Sequence, residues 1–307
     1  MPRPGPCAKR RNRLCGVADP ASVHAGSGGA HAAGRRGVGR ATGETSVDYL
    51  ILCSSALLAS ALTFFSGFGL GTILMPVFAL FFPLPAAIAA TAVVHLANNL
   101  FKLALVGSAA NWSVVLRFGL PAAVAALAGA GALVLFAGAT PLAEYELLGR
   151  RATITPLKLG IGLLIVGFAL LELSPRFAAL AIAPRYLPLG GLLSGFFGGL
   201  SGNQGALRAA FLIKAGLDKT AFIATGVVAA VIVDTVRLAV YGASSYATGF
   251  GTLPPGVTGL VLAATVAAFL GAFIGARLLR KVTLRTVQLI VACCMIGIGS
   301  GLAAGWL

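Results

Sequence analysis

The stretch SGFGLGTILMP, Ser66 to Pro76, sets three alternating glycines, Gly67, Gly69 and Gly71, inside a long apolar run. It reads either as a phosphate-cradling loop or as a helix broken within a membrane. A dinucleotide fingerprint needs a strand before the glycines, an amphipathic helix after them and an acid about 20 residues on. Here the glycines lead into TILMPVFALFF, and the next acid is Glu144. The broken helix is the reading that survives.

Composition points the same way. Of the 307 residues 58% are hydrophobic and only 10% charged, with a mean hydropathy of +0.95, where ordinary globular chains carry about 25% charged residues. A soluble core of this length needs a charged skin, and a chain solvated by lipid tails does not. The chain therefore reads as a polytopic membrane protein.

Crossing about 30 Å of hydrocarbon takes roughly 20 apolar residues. Six plain spans meet that length, over residues 84–107, 113–137, 156–173, 219–241, 255–279 and 285–305. Two further apolar regions, 48–83 and 187–217, are too long for one straight span and are interrupted by glycine and polar residues. A membrane barrel would show period-2 alternation in ten-residue segments; none is seen, so every element is expected to be helical.

Residues 1–47 differ sharply. Eight Lys or Arg and two acids give this segment +6 of the chain's net +15. It is too polar and glycine-rich to offset its ordering entropy and is expected to be disordered. Such an arm could touch anionic lipid or nucleic acid. A solvated tail, or a start site upstream of the true one near Val47, accounts for it without a partner. Of the five cysteines, Cys7 and Cys15 lie in the tail and Cys53, Cys293 and Cys294 in apolar spans; no spacing resembles a metal knuckle or redox pair.

An internal repeat organises the rest. Shifted by 134 residues, Gly71 meets Gly205, Ala87 meets Ala221, and ATAVV (Ala90 to Val94) meets ATGVV (Ala224 to Val228). One residue of slip later Asn99 meets Asp234 and Lys102 meets Arg237, and Leu157–Lys158 recurs as Leu284–Arg285. Each half reads as a broken first segment followed by three spans: repeat 1 over 48–173, a linker over 174–187, and repeat 2 over 188–307. The repeat partner of the opening stretch is LSGNQG, Leu200 to Gly205. Glycine-interrupted segments at corresponding positions of two halves point to a transporter's substrate site, because unwound backbone at membrane depth is tolerated only where it is buried or lines a watery cavity.

The glycine-rich break with its proline (GLGTILMP), the PAAIAAT opening of the next span, the duplicated pattern and the closing GAFIGARLLRKV (Gly271 to Val282) together resemble the TauE/SafE sulfite-exporter-like permeases, also called the toluenesulfonate uptake permease family. The resemblance covers roughly residues 48–305. It implies a bacterial inner-membrane permease for small sulfur-containing anions such as sulfite, sulfoacetate or sulfonates. The second break, SGNQGALRA, departs from the first in lacking a counterpart of Pro76 and in being followed by Arg208.

Ionisable groups inside spans are costly and mark candidate functional sites. They are Lys102, Arg117, Arg208, Asp234 and Arg237, four of the five cationic. That excess, with helix N-termini at the breaks and the bidentate fork of arginine, points to an oxyanion. The candidate substrate-binding set is Ser66, Gly67, Gly69, Gly71, Asn99, Lys102, Ser201, Asn203, Gln204, Arg208 and Arg237, with Asp234 and His95 as proton-coupling candidates. Bland readings stand beside these. Lys102 and Arg237 could snorkel to the interface, Asp234 and Arg237 could form a local i, i+3 ion pair, Arg117 could be an interfacial anchor and His95 a packing histidine. Asn98 and Asn99 either join helices or face the pathway.

The loops around Arg150, Arg151 and Lys158 and around Arg277, Arg280, Lys281 and Arg285 are both basic. The positive-inside rule puts both in the cytoplasm, which implies an even number of crossings per half, parallel repeats and an outside C-terminus. Full extra crossings at the breaks would instead make the halves inverted. No catalytic constellation is present: two of the three histidines lie in the tail and no carboxylate pair has useful spacing. With no Walker loop the chain is not itself a pump. The expected function is an alternating-access secondary permease for small anions, sulfur oxyanions or organosulfonates, and the alternative is an anion channel or the membrane component of a multi-subunit transport system. Its expected partners are the anion, the bilayer and a coupling proton or cation, with no nucleic acid, cofactor or metal.

Overall fold

The computed structural model of the chain describes residues 46–66, 70–147, 149–248, 257–278 and 284–307. The tail expected over 1–47 lies, as far as residue 45, outside them. Helices follow the hydropathy: α1 (Ser46–Ser66), α2 (Leu70–Ala79), α3 (Leu84–Val106), α4 (Trp112–Ala137), α5 (Pro156–Leu173), the single turn α6 (Pro175–Ala178), α7 (Leu187–Ser201), α8 (Gly205–Leu212), α9 (Lys219–Thr248), α10 (Val257–Leu278) and α11 (Leu284–Ala303). Five of them, α3, α4, α5, α9 and α10, are long and apolar enough to cross a membrane. Proline opens α3 and α5 at positions whose N–H groups have no helical partner. Asn111 and Thr155 cap α4 and α5 through hydrogen bonds accepted from Val114 and Lys158.

The chain is not wholly helical. Ala143–Leu147 (β1) and Arg150–Ile154 (β2) form an antiparallel hairpin between α4 and α5, turning through Gly149 at φ 72°. This charge-bearing stretch lies outside the apolar runs, so strand pairing there carries no membrane cost. Tyr145 donates its hydroxyl to the Ala304 carbonyl at 2.7 Å, and Thr153 N–H bonds the Gly305 carbonyl at 3.1 Å. The hairpin is thereby sewn to the end of α11.

Small residues set how the helices pack. A β-carbon on Gly191, Gly195 or Gly199 of α7 would run into the carbonyl oxygens of Phe118, Ala122 and Ala126 of α4, in that order. The two helices are therefore parallel and in backbone contact, the small-residue packing common in membranes. In the same way Gly271 and Gly275 of α10 meet Leu57 and Ala61 of α1, also in parallel. α5 and α11 run antiparallel, since Gly162 near the start of α5 packs on Gly299 and Ala303 near the end of α11. α3 and α9 are antiparallel too: His95 pairs with Asp234 while Asn111, just past α3, donates its backbone N–H to Thr225 Oγ1. On the outside of α4, Leu116, Leu120, Val124 and Leu127 are exposed, an apolar skin of the kind lipid solvates.

One expectation is overturned. The 150–158 loop sits where α5 begins and α11 ends, whereas α10 hands over to α11 at the other end of α11, about 30 Å away at 1.5 Å per residue. The start of α5 and the start of α11 thus lie at opposite ends of α11, which runs against the expectation that the basic stretches beside them share one side. The contact of Gly162 with Gly299 and Ala303 fixes that antiparallel sense, which loop charge does not report.

The second interrupted region is a helical hairpin. α8 returns along α7, with Phe211 against Gly190 and Ser194 Oγ donating to the Gln204 carbonyl at 3.1 Å. Its tip, Gly202 to Gln204, turns through Gly202 at φ 85°, and Ile182 N–H bonds the Ala210 carbonyl at 3.2 Å, so both feet stand beside the linker. α2 packs on α1 and α3.

Candidate functional site

The site is built around one carboxylate. Asp234 of α9 is wholly buried, and donors from three elements converge on it. His95 Nδ1 of α3 lies 2.7 Å from Oδ2, and Asn99 Nδ2, one turn further along α3, donates to the same oxygen at 2.9 Å. Gln204 Nε2 at the tip of the α7–α8 hairpin donates to Oδ1 at 3.3 Å, and Arg237 Nη2 pairs with Oδ1 at 2.9 Å. The i, i+3 ion pair on one helix face is present, but it is one contact of four.

The tip of this hairpin meets α2. A β-carbon on Gly71 would stand 3.2 Å from the Gly202 carbonyl oxygen and 3.9 Å from the His95 ring. One on Gly202 would stand 2.7 Å from Arg237 Nη1. Glycine is needed at Gly202 twice over, for its positive φ and for the guanidinium lying on it. Tyr241, one turn past Arg237, donates its hydroxyl to the Gly199 carbonyl and fastens α9 to the end of α7.

Arg208 and Lys102 stand off the carboxylate. Arg208, half-buried on α8, packs with Nε 3.5 Å from where Gly226 of α9 would carry a β-carbon. Its charge is felt at Lys102, Asp234 and His95. Lys102 itself is buried near the end of α3. Two arginines thus share this interior with one carboxylate, a net positive balance, and Lys102 is buried beside Arg208. Arg117 and Lys214 are exposed and take no part.

Several polar atoms here are buried without hydrogen-bond partners: both side-chain atoms of Asn203, Arg208 Nη1, and Arg237 Nε and Nη1. Buried polar groups are ordinarily paired, and an unpaired one costs about 1–3 kcal/mol, more when charged. Those on Asn203, Arg208 and Arg237 stand in or beside the network around Asp234, while Thr91, Asn98 and Glu172 carry others.

The residues expected from sequence fall into three groups. His95, Asn99, Gln204, Asp234 and Arg237 are joined in one network, with Gly71, Asn203, Lys102 and Arg208 around it. Ser201 is buried but donates to Phe197 of its own helix at 3.1 Å, which leaves only its acceptor lone pairs for anything else. Gly67 and Gly69, and the side chain of Ser66, lie outside the described residues. Ser60 and Ser194 escaped the sequence reading. Ser60 donates to Asn98 Oδ1 at 3.1 Å and Ser194 to the Gln204 carbonyl, and their separation by the same 134 residues was the available signal. Among the described residues no group of three or more His, Cys, Asp or Glu could hold a metal ion.

Five long apolar helices around a buried polar centre define a multi-pass helical membrane protein. The model of the Sulfite exporter TauE/SafE family matches residues 52–302, and the chain belongs to that family, one of membrane transporters for sulfur compounds. No curated protein matches it.

Proposed function

We propose that the chain is a secondary permease for small anions, namely sulfur oxyanions or organosulfonates, with its binding site between the α7–α8 tip and α2. The observation that carries this reading is the set of orphaned donors on Arg208, Arg237 and Asn203 in an interior with more positive than negative charge. A tetrahedral oxyanion offers three acceptor oxygens and a negative charge, which is the complement of two guanidinium forks and an amide. Lys102 adds charge at longer range, and the backbone around Gly71 and Gly202 can approach a ligand because no β-carbon intervenes.

Alternating access would follow from an inverted repeat. In each half a folded-back first segment precedes three crossings: α1–α2 with α3, α4 and α5 over 48–173, then α7–α8 with α9, α10 and α11 over 188–307, joined through 174–187. Corresponding helices run in opposite senses in the pairs α3 with α9 and α5 with α11. The halves also exchange partners, α1 packing on α10 and α7 on α4. Three crossings per half with a re-entrant hairpin supports inverted repeats in place of the parallel ones that loop charge suggested. The bacterial inner membrane is the setting this reading assumes.

The test is counterflow in proteoliposomes. Purified protein loaded with unlabelled sulfite, sulfoacetate or methanesulfonate should take up labelled anion saturably, and chloride should not substitute. Flux that rises linearly with concentration would indicate a channel instead.

A further inference from the structure

Resting on the permease reading above, we infer that Asp234 is a tethered competitor for the transported anion, and that its release requires a proton, so that one proton travels with each monovalent oxyanion. The placement is what argues it. Asp234 is the one acid among the fully buried described residues, and it occupies Arg237, the group best suited to hold an oxyanion. It does so incompletely: Nη2 pairs with the carboxylate and the Tyr241 side chain adjoins the same guanidinium, while Nε and Nη1 have no hydrogen-bond partner. A buried arginine fork with unused donors can pair with a second anion, and two anions cannot share it in a desolvated site without one being neutralised.

The hydrogen bonds around Asp234 allow that neutralisation. His95 Nδ1, Asn99 Nδ2 and Asp234 Oδ2 form a closed triangle with sides of 2.7, 2.9 and 3.2 Å. A proton can rest on His95 Nδ1 with Asp234 ionised, or on Asp234 Oδ2 with the imidazole nitrogen accepting. The Asn99 amide reaches both atoms and supports either state. Oδ1 meanwhile keeps the Gln204 amide and has no further need of Arg237 once the carboxyl is neutral. The groups whose charge reaches Asp234 are His95 from α3, Arg208 from α8 and Arg237 from its own α9, with the neutral Tyr241 hydroxyl one turn further along α9. α2 and α7 carry no ionisable side chain, and Arg117 of α4 is exposed.

The step balances. A proton from the aqueous phase bonds to Asp234 Oδ2 as the Arg237–carboxylate pair separates, and the guanidinium then pairs with the oxyanion. The Asp234–Arg237 pair is neutral before, as carboxylate and guanidinium, and with its anion neutral after, as carboxylic acid and guanidinium–oxyanion pair, while the charge of Arg208 is the same in both states. Translocation of the loaded site therefore moves no net charge, and the empty site returns by re-forming the internal pair.

Methanesulfonate is the probe of choice because it stays singly ionised throughout the neutral range. In wild-type proteoliposomes its uptake should acidify an internal pH dye by one proton per anion, should be driven by an inward proton gradient and should be unaffected by a clamped membrane potential. Its half-saturation concentration should rise with pH, approaching about tenfold per unit for one linked proton. Asp234→Asn should lose gradient-driven accumulation, and its affinity for methanesulfonate, read by calorimetry on the purified protein, should be independent of pH. Potential-driven wild-type uptake without acidification overturns the inference even if Asp234→Asn fails to fold, as does gradient-driven accumulation by that variant. Absence of counterflow for all three sulfur anions in the wild type overturns the permease reading itself, and this inference with it.

Discussion

Gly71 and Gly202, on two elements that start more than a hundred residues apart, face each other so closely that a β-carbon on the first would stand 3.2 Å from the carbonyl oxygen of the second. The two positions differ in what they tolerate. Gly71 is helical with an ordinary φ, so Gly71→Ala asks Gly202 to yield a few tenths of an ångström, while Gly71→Leu would force the elements apart. Gly202→Ala adds a left-handed conformation, costing about 1–2 kcal/mol for a residue with a β-carbon, and displaces Arg237. Anion binding by calorimetry should thus fall in the order wild type, Gly71→Ala, Gly202→Ala, Gly71→Leu, with all four proteins inserted. Wild-type affinity in Gly71→Leu would remove this contact from the site.

The opposed senses of α5 and α11 predict the sidedness of two arginines. In a background without native cysteines, Arg151→Cys and Arg277→Cys should react with a membrane-impermeant maleimide from opposite faces of the membrane. Labelling of both from one face would contradict the antiparallel packing of Gly162 on Gly299 and Ala303.

That pair also shows what sequence could and could not disclose. Helices α3, α4 and α5 stand within a residue or so of the expected 84–107, 113–137 and 156–173, because a run of some twenty apolar residues is a one-dimensional signal. The interruption at Gly202 was legible for the same reason, as glycines and amides amid apolar residues. Direction was not. Whether α5 opposes α11 is decided by glycines that meet backbone more than a hundred positions away, and loop arginines gave the opposite answer. The site divides similarly. Asp234, His95, Asn99 and Gln204 stand out singly as polar residues in apolar surroundings, but their convergence on one carboxylate joins positions 139, 135 and 30 residues apart, a relation no local pattern carries. The β1–β2 hairpin was missed because a rule that applies inside hydrocarbon was extended to a loop outside it.

The contact of α4 with α7 predicts a contrast between glycines. A β-carbon on Gly195 would collide with the Ala122 carbonyl oxygen and lie 2.6 Å from its Cα. Backbone is met on both sides, so Gly195→Ala must separate the helices and should cost at least the 1–3 kcal/mol typical of overpacking. Gly160 of α5 has nothing within 4 Å of its would-be β-carbon, and Gly160→Ala should stabilise the helix by up to about 1 kcal/mol. Thermal unfolding in detergent should move in opposite directions for the two variants, and an unchanged midpoint in Gly195→Ala would show that this contact is looser than described.

Arg208 is the sharpest test of the anion reading, because the residue 134 positions before it, its counterpart under the proposed repeat, is Leu74, which is fully buried in apolar surroundings. A requirement common to both halves cannot explain a charge present in one alone. Nor is Arg208 accounted for as an interfacial anchor: its Nη1 is buried without a partner, whereas an anchoring arginine would carry its head to water. Arg208→Lys keeps the charge and loses the planar fork, and should raise the half-saturation concentration for methanesulfonate while retaining partial flux. Arg208→Gln leaves a desolvated oxyanion short of a charge partner, a loss on the order of 2–5 kcal/mol by analogy with truncated buried ion pairs. Calorimetric titration of purified, monodisperse variants reads this directly. An affinity in Arg208→Gln equal to that of the wild type would take Arg208 out of the site and leave Arg237 and Asn203 as the groups that hold the anion.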